Sequence, residues 1–188
     1  LLAKHFGCTR YLYNYFLARR KTEYLTTRRS NNYVQDCKEL TELKKTVTWL
    51  QEVNAQSLQA AIKNLENAYG NFFAKHAGFP KFKNKNDKQS FRAPQRTKIK
   101  NNKLVIPKFL EGIPIVLHRE ITEEISSCTI SKNKIGQYFC TILVEKDIKP
   151  HEVTTKEVGI DLGIKTLIVD SNGKEYANIR PYKTLKKK

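Results

Sequence analysis

At 188 residues the chain is long enough for one good core or two small ones. Its 35 Lys+Arg against 18 Asp+Glu leave a formal charge of +17. Such an excess repels itself in a compact fold and points to a polyanionic partner, nucleic acid ahead of an anionic membrane surface. No apolar run approaches the roughly 18 residues of a membrane span, and no signal-peptide pattern is present. We therefore expect a cytoplasmic protein with no membrane association. Cys8, Cys37, Cys128 and Cys140 lack C-x-x-C spacing, so zinc is not expected and the four read as reduced core thiols. The chain has no methionine, opens inside a helical pattern and ends on Lys186-Lys187-Lys188. We expect further sequence beyond both ends.

Leu2, Phe6, Thr9, Tyr13 and Phe16, with Leu12 and Leu17 beside them, predict an amphipathic helix running to about Arg29. Its other faces carry Arg10, Arg19, Arg20, Lys21, Arg28 and Arg29. After Ser30-Asn31-Asn32, a second helix is predicted from Tyr33 to Thr46, with Val34, Cys37 and Leu40 or Leu43 inward. Trp49, Leu50 and Val53 form an apolar knot, and Asn54 can cap a third helix. Leu58, Ile62, Leu65, Tyr69, Phe72 and Phe73 recur at helical spacing to about His76 and read as core. Residues 1–77 thus predict a three-helix unit. A helix-turn-helix reading is compatible with it, but any small bundle shows this periodicity.

From Gly78 to Lys108 the helical period is lost and ten basic residues stand against Asp87 alone. Phe79, Phe82 and Phe91 lie among them. Cations track a phosphate backbone while aromatic faces stack on bases, so this stretch is the candidate single-strand or RNA contact. Strand signals follow at 104–106, 113–117, 125–130 and 138–144. They suggest a small antiparallel barrel or sandwich, with Asn133 to Gly136 as a turn. Lys146 to Glu157 reads as a linker. Beyond it, Val158 to Leu162 reads as a buried strand, and Asn172-Gly173 favours a type I′ hairpin turn. A carboxylate in a buried strand is costly unless a cation compensates it, which singles out Asp161.

Seven stretches in order resemble the TnpB (OrfB) family of transposon-encoded RNA-guided DNA nucleases, relatives of type V CRISPR effectors also described as transposases. They begin with residues 6–14 (FGCTRYLYN), 49–53 (WLQEV) and 65–73 (LENAYGNFF). They continue with 78–83 (GFPKFK), 90–92 (SFR), 117–119 (LHR) and 159–165 (GIDLGIK). The resemblance implies an α+β protein. Residues 1–77 would be a helical recognition domain, 78–154 a basic loop and wedge-type β-barrel, and 155–188 the first strands of an RNase H-like (RuvC) domain. It implies a guide RNA, a double-stranded DNA target and Mg²⁺ as partners. Asp161 matches the family's first catalytic aspartate. The remaining carboxylates and a zinc segment would lie past residue 188, so one carboxylate is left where two-metal chemistry needs several.

Residues expected to contact nucleic acid are Arg10, Arg19, Lys81, Lys83 and Arg92, with Asn54, Gln56 and Gln59 at the third helix's start and Tyr33 beside them. Amides pair bidentately with adenine, and a helix N-terminus favours phosphate. Cap and solvent roles remain equally open for the amides. Two other readings stand beside the nuclease: a nuclease-inactive derivative that binds DNA or RNA and regulates, and a fragment of an actin-like or sugar-kinase ATPase. The latter also opens on a strand with Asp-Leu-Gly, but here Ile164-Lys165 follows in place of a phosphate-binding hairpin.

Overall fold

The computed structural model describes residues 1–147 and 157–180. The predicted linker falls mostly, and the lysine tail wholly, outside the described residues. The chain divides into two compact units, Leu1–Lys146 and Asp147–Lys188.

The first unit opens with three helices, α1 (Leu2–Thr27), α2 (Tyr33–Thr46) and α3 (Ala55–Phe73), a 3₁₀ turn at Thr48–Glu52 leading into the last. The α1 stripe packs as its spacing predicts: Leu12, Tyr13, Phe16 and Leu17 share a core with Leu40, Leu50, Val53, Leu58, Ile62 and Leu65. Arg28 adopts a left-handed conformation (φ 58°) and ends α1, its N–H donating to the Tyr24 carbonyl. Asn32 starts α2 with a reciprocal capping box, its side chain accepting from the Val34 and Gln35 N–H groups while Gln35 accepts from Asn32. Two inward assignments fail. Val34 at the first turn of α2 and Phe73 at the last turn of α3 are exposed, because a helix end runs past the neighbour that covers its middle.

Six strands follow: β1 (Gln89–Ala93), β2 (Lys98–Lys100), β3 (Lys103–Ile106), β4 (Phe109–Pro114), β5 (Ile125–Lys132) and β6 (Tyr138–Val144). They form two antiparallel three-stranded sheets, ordered β1-β5-β6 and β2-β3-β4. The class is α+β as expected, but among the described residues no hydrogen-bonded ladder joins the two sheets into a closed barrel. Both share one core of Phe91, Ala93, Leu104, Ile106, Cys128 and Ile130, into which α1 inserts Phe6. β1 and β2 lie in the stretch read as a basic loop. In β1 only Phe91 and Ala93 point inward, too short an alternation to stand out among cations.

His5 ties the helices to the sheets. It is fully buried, with its ring 4.8 Å from Phe91 and 4.9 Å from Phe109. Its Nε2 accepts the Asn54 N–H at 3.1 Å, so it must be unprotonated there. Burial pushes the imidazole below its ordinary value of 6.5. A depressed histidine contributes stability that is present above its unfolded value and lost as pH falls through the folded one. Denaturant midpoints should therefore drop on acidification below about pH 6.5, and a His5→Gln variant should show a flatter profile. Equal pH slopes for the two proteins would refute this.

The second unit holds β7 (Ile160–Leu162), β8 (Thr166–Asp170) and β9 (Glu175–Ala177) as an antiparallel meander. Its turn differs from the type I′ expectation. Gly173 has φ 78°, but Asn172 is not in the left-handed region. The Gly173 N–H donates to the Asp170 carbonyl, and Asp170 N–H to the Lys174 carbonyl, which makes a three-residue loop closed by a left-handed glycine. Asp170 Oδ1 accepts the Asn172 and Lys174 N–H groups, each at 2.9 Å, and so takes over the role that a second positive-φ residue would play. Asn133 to Gln137 repeats the arrangement with Gly136 at φ 90°. All three residues of β7 are exposed, which corrects the reading of a buried strand: apolar sequence shows a strand's affinity for a cover, and no described element covers this one.

Candidate nucleic-acid interface

A shallow open cleft lies between α1, α3 and the segment leading into β1. Arg10, Lys83, Lys88 and Arg92 line it, and among the described residues no carboxylate does. Three of these four were singled out from sequence as separate candidates. The fold gathers them because Arg10 lies one turn beyond Phe6 on α1, while Arg92 flanks Phe91 on β1, and Phe6 and Phe91 meet in the same core.

The walls are fixed mostly by neutral partners. The Asn14 side chain clamps the Lys83 backbone in both directions, donating to its carbonyl and accepting its N–H at 2.8 Å each. Asn84 Oδ1 accepts the Asn86 and Asp87 N–H groups, and Asp87 accepts the Asn84 N–H. The one acidic residue of this basic stretch is thereby spent on a turn. Arg10 donates to Gln89 Oε1 and Arg92 to Ser127 Oγ, both at 3.0 Å. Although much of Lys83 is exposed, its ammonium sits 4.1 Å from the Tyr13 ring centre, and desolvation there lowers its pKa. None of these contacts neutralises a charge. Asn64, Ser57 and Ser90 add neutral hydrogen-bonding groups to the same lining. Lys88 and Asn64 were not singled out from sequence, since nothing in their local pattern marks them.

The other candidates lie elsewhere. Arg19 pairs with Glu39, which also accepts from Tyr15, and Lys81 is exposed. Asn54 is buried as the α3 cap. Its Oδ1 accepts the Gln56 N–H, and its Nδ2 donates to Ser57. Gln56 donates to Gln95 Oε1 at 2.8 Å, while its own Oε1 is buried without a partner among the described residues. Gln59 is exposed one turn along α3. Tyr33 is half-buried, with the Lys63 ammonium 5.2 Å from its ring centre.

Asp161 is exposed and faces Val169 across the β7–β8 pair. Among the described residues no group of three His, Cys, Asp or Glu side chains could hold a metal ion. The residues present do not complete a Mg²⁺ site, for which a lone exposed carboxylate is too few ligands. All four cysteines are free thiols, Cys8 and Cys128 buried. No described helix is long and apolar enough to cross a membrane.

By fold and site this is a basic α+β unit whose cleft, among the described residues, is lined by cations without a carboxylate, a charge pattern complementary to a polyanion. Residues 1–29, which comprise α1 and its cap, match the helix-turn-helix domain model of OrfB from IS605. A Streptomyces pristinaespiralis protein named "Putative RNA-guided DNA endonuclease" is 34% identical over 183 residues, covering 94% of this chain and 46% of that protein. The Escherichia coli K12 protein named "Putative RNA-guided DNA endonuclease InsQ" is 29% identical over 191 residues, covering 97% of this chain and 46% of its own length. Over nearly its whole length the chain is similar to proteins of the OrfB/TnpB type, and it spans about half the length of the curated relatives it matches.

Proposed function

We propose that this chain is the nucleic-acid-binding part of an RNA-guided DNA endonuclease of the OrfB/TnpB type, gripping guide RNA and double-stranded target DNA. The observation that carries the reading is the cleft in which Arg10, Lys83, Lys88 and Arg92 meet without a neutralising carboxylate. The names of the two relatives support RNA and DNA as those polyanions. In this reading residues 1–77 form the recognition domain, 78–154 the wedge-type β-domain and 155–188 the start of an RNase H-like domain. Gln56 and Gln59 face the DNA from the start of α3. Lys81 and Tyr33 would be outlying contacts, and Arg19 would reach a phosphate only by exchanging Glu39 for it.

Asp161 would contribute one ligand to a Mg²⁺ site whose other ligands lie outside this chain. The metal, once held, would supply Lewis-acid activation for phosphodiester hydrolysis. The 188-residue chain by itself should bind nucleic acid with a strong salt dependence and leave it intact in Mg²⁺. Incubating purified chain with single- and double-stranded DNA tests both halves. Mg²⁺-dependent cutting that disappears in Asp161→Ala would overturn the second, and salt-independent binding the first.

A further inference from the structure

We propose that the C-terminal end of α3 and the segment after it form a base-stacking platform for single-stranded nucleic acid, a second site apart from the cleft. This deepens the nucleic-acid reading above and rests on it. Phe73, Phe79 and Phe82 are 74%, 42% and 52% exposed, an unusual amount of aromatic surface to leave in water. Their arrangement is fixed. The chain turns back over the helix end, where the Lys75 N–H donates to the Phe72 carbonyl and the His76 and Ala77 N–H groups to the Asn71 carbonyl. That return brings Phe79 edge-on to Phe72 at 5.3 Å and to Tyr69 at 5.7 Å, while Phe73 lies against Phe72 at 5.2 Å.

Charge decides the occupant. The Lys21 ammonium lies 5.8 Å from the Phe79 ring centre and 5.5 Å from that of Phe82, joining two exposed rings through one cation. Residues 67–86 contain four lysines, of which Lys83 faces the cleft, and no carboxylate. A second copy of this chain, itself at +17, is repelled from such a surface. A duplex keeps its base faces stacked inside. An unpaired strand offers both what the rings accept and what the lysines attract, faces and phosphates together. The partial negative charge at the end of α3 disfavours phosphate on the helix axis, so bases meet the rings while the lysines alongside take the backbone.

The test uses the full chain and a Phe73→Leu/Phe82→Leu double variant, which keeps apolar side chains at exposed positions and removes the π faces. Affinities are measured for poly-dT, poly-U, an abasic strand of equal length and a duplex, with thermal midpoints as a check on folding. The variant should lose roughly tenfold or more on the base-bearing strands, while its affinity for the abasic strand and the duplex and its salt slope stay at the wild-type value. The poly-dT and poly-U arms report whether the platform prefers DNA or RNA. Unchanged affinity for base-bearing strands, or an equal loss on the abasic strand, would overturn the platform and mark these rings as a packing face, with the cleft untouched. Failure of the wild-type chain to bind any strand would remove the nucleic-acid reading itself.

Discussion

Asp36→Ala is expected to lower the unfolding free energy by about 3–5 kcal/mol. The Asp36 carboxylate is fully buried in the helical core and receives the Arg20 guanidinium at 2.8 Å from Nε and 2.7 Å from Nη2. Arg20 is buried too, reaches Glu66 at 2.8 Å and lies 5.4 Å from the Tyr69 ring centre. Truncating Asp36 leaves a desolvated guanidinium with one half-exposed partner. Burial pushes the Asp36 carboxyl above the ordinary carboxylate value even though Arg20 opposes it. A buried pair of this kind gains its mutual attraction at a desolvation cost of comparable size. It follows that replacing both members by apolar residues, Arg20→Met with Asp36→Leu, should cost far less than Asp36→Ala alone. Urea denaturation of the three proteins decides this. A double variant as unstable as the single one would show that the ion pair contributes net stability.

The second large effect concerns the cleft. Combining Arg10→Gln, Lys88→Gln and Arg92→Gln should reduce the slope of log affinity against log salt by about 2 on a single strand and about 3 on a duplex, since each phosphate contact carries roughly 0.7–0.9. Lys98→Gln/Lys100→Gln/Lys103→Gln removes the same charge from β2 and β3, outside the cleft lining. Its slope should stay closer to wild type. Equal slopes for the two triple variants would mean that net charge alone governs binding and that the cleft is not a site. Arg19→Gln, which breaks the pair with Glu39, should leave the slope near wild type. A fall of about one would show that Arg19 exchanges Glu39 for a phosphate.

Much of this was legible in the sequence. The α1 stripe and the α2 span appear where periodicity predicts them, because several turns of repeated burial average out local exceptions. So do β5 and β6. Elements one or two turns long did not announce themselves. In β1 the inward side is carried by Phe91 and Ala93 alone, and in β2 the half-buried Ile99 stands between two exposed lysines. The Arg20–Asp36 pair left no signal either, since its members sit on different helices in sequence dominated by other charges. The seven ordered motifs were enough to reach the resemblance, and the two relatives align over nearly the whole chain.

The sequence by itself determined the α+β class, the basic character and the likeness to OrfB/TnpB proteins, because these depend on composition, period and motif order, all local or additive. Only the tertiary structure decided which cations act together. Arg10 and Arg92 are separated by more than eighty positions, yet Phe6 and Phe91 bury into one core and carry both arginines to the same cleft. It likewise decided which aromatics are free. Phe73 continues the period of α3 but lies past the end of the helix packing, and Phe91 belongs to the basic stretch but turns inward on a strand. Burial is a property of what stands opposite a side chain, and that is supplied by residues far away in the chain.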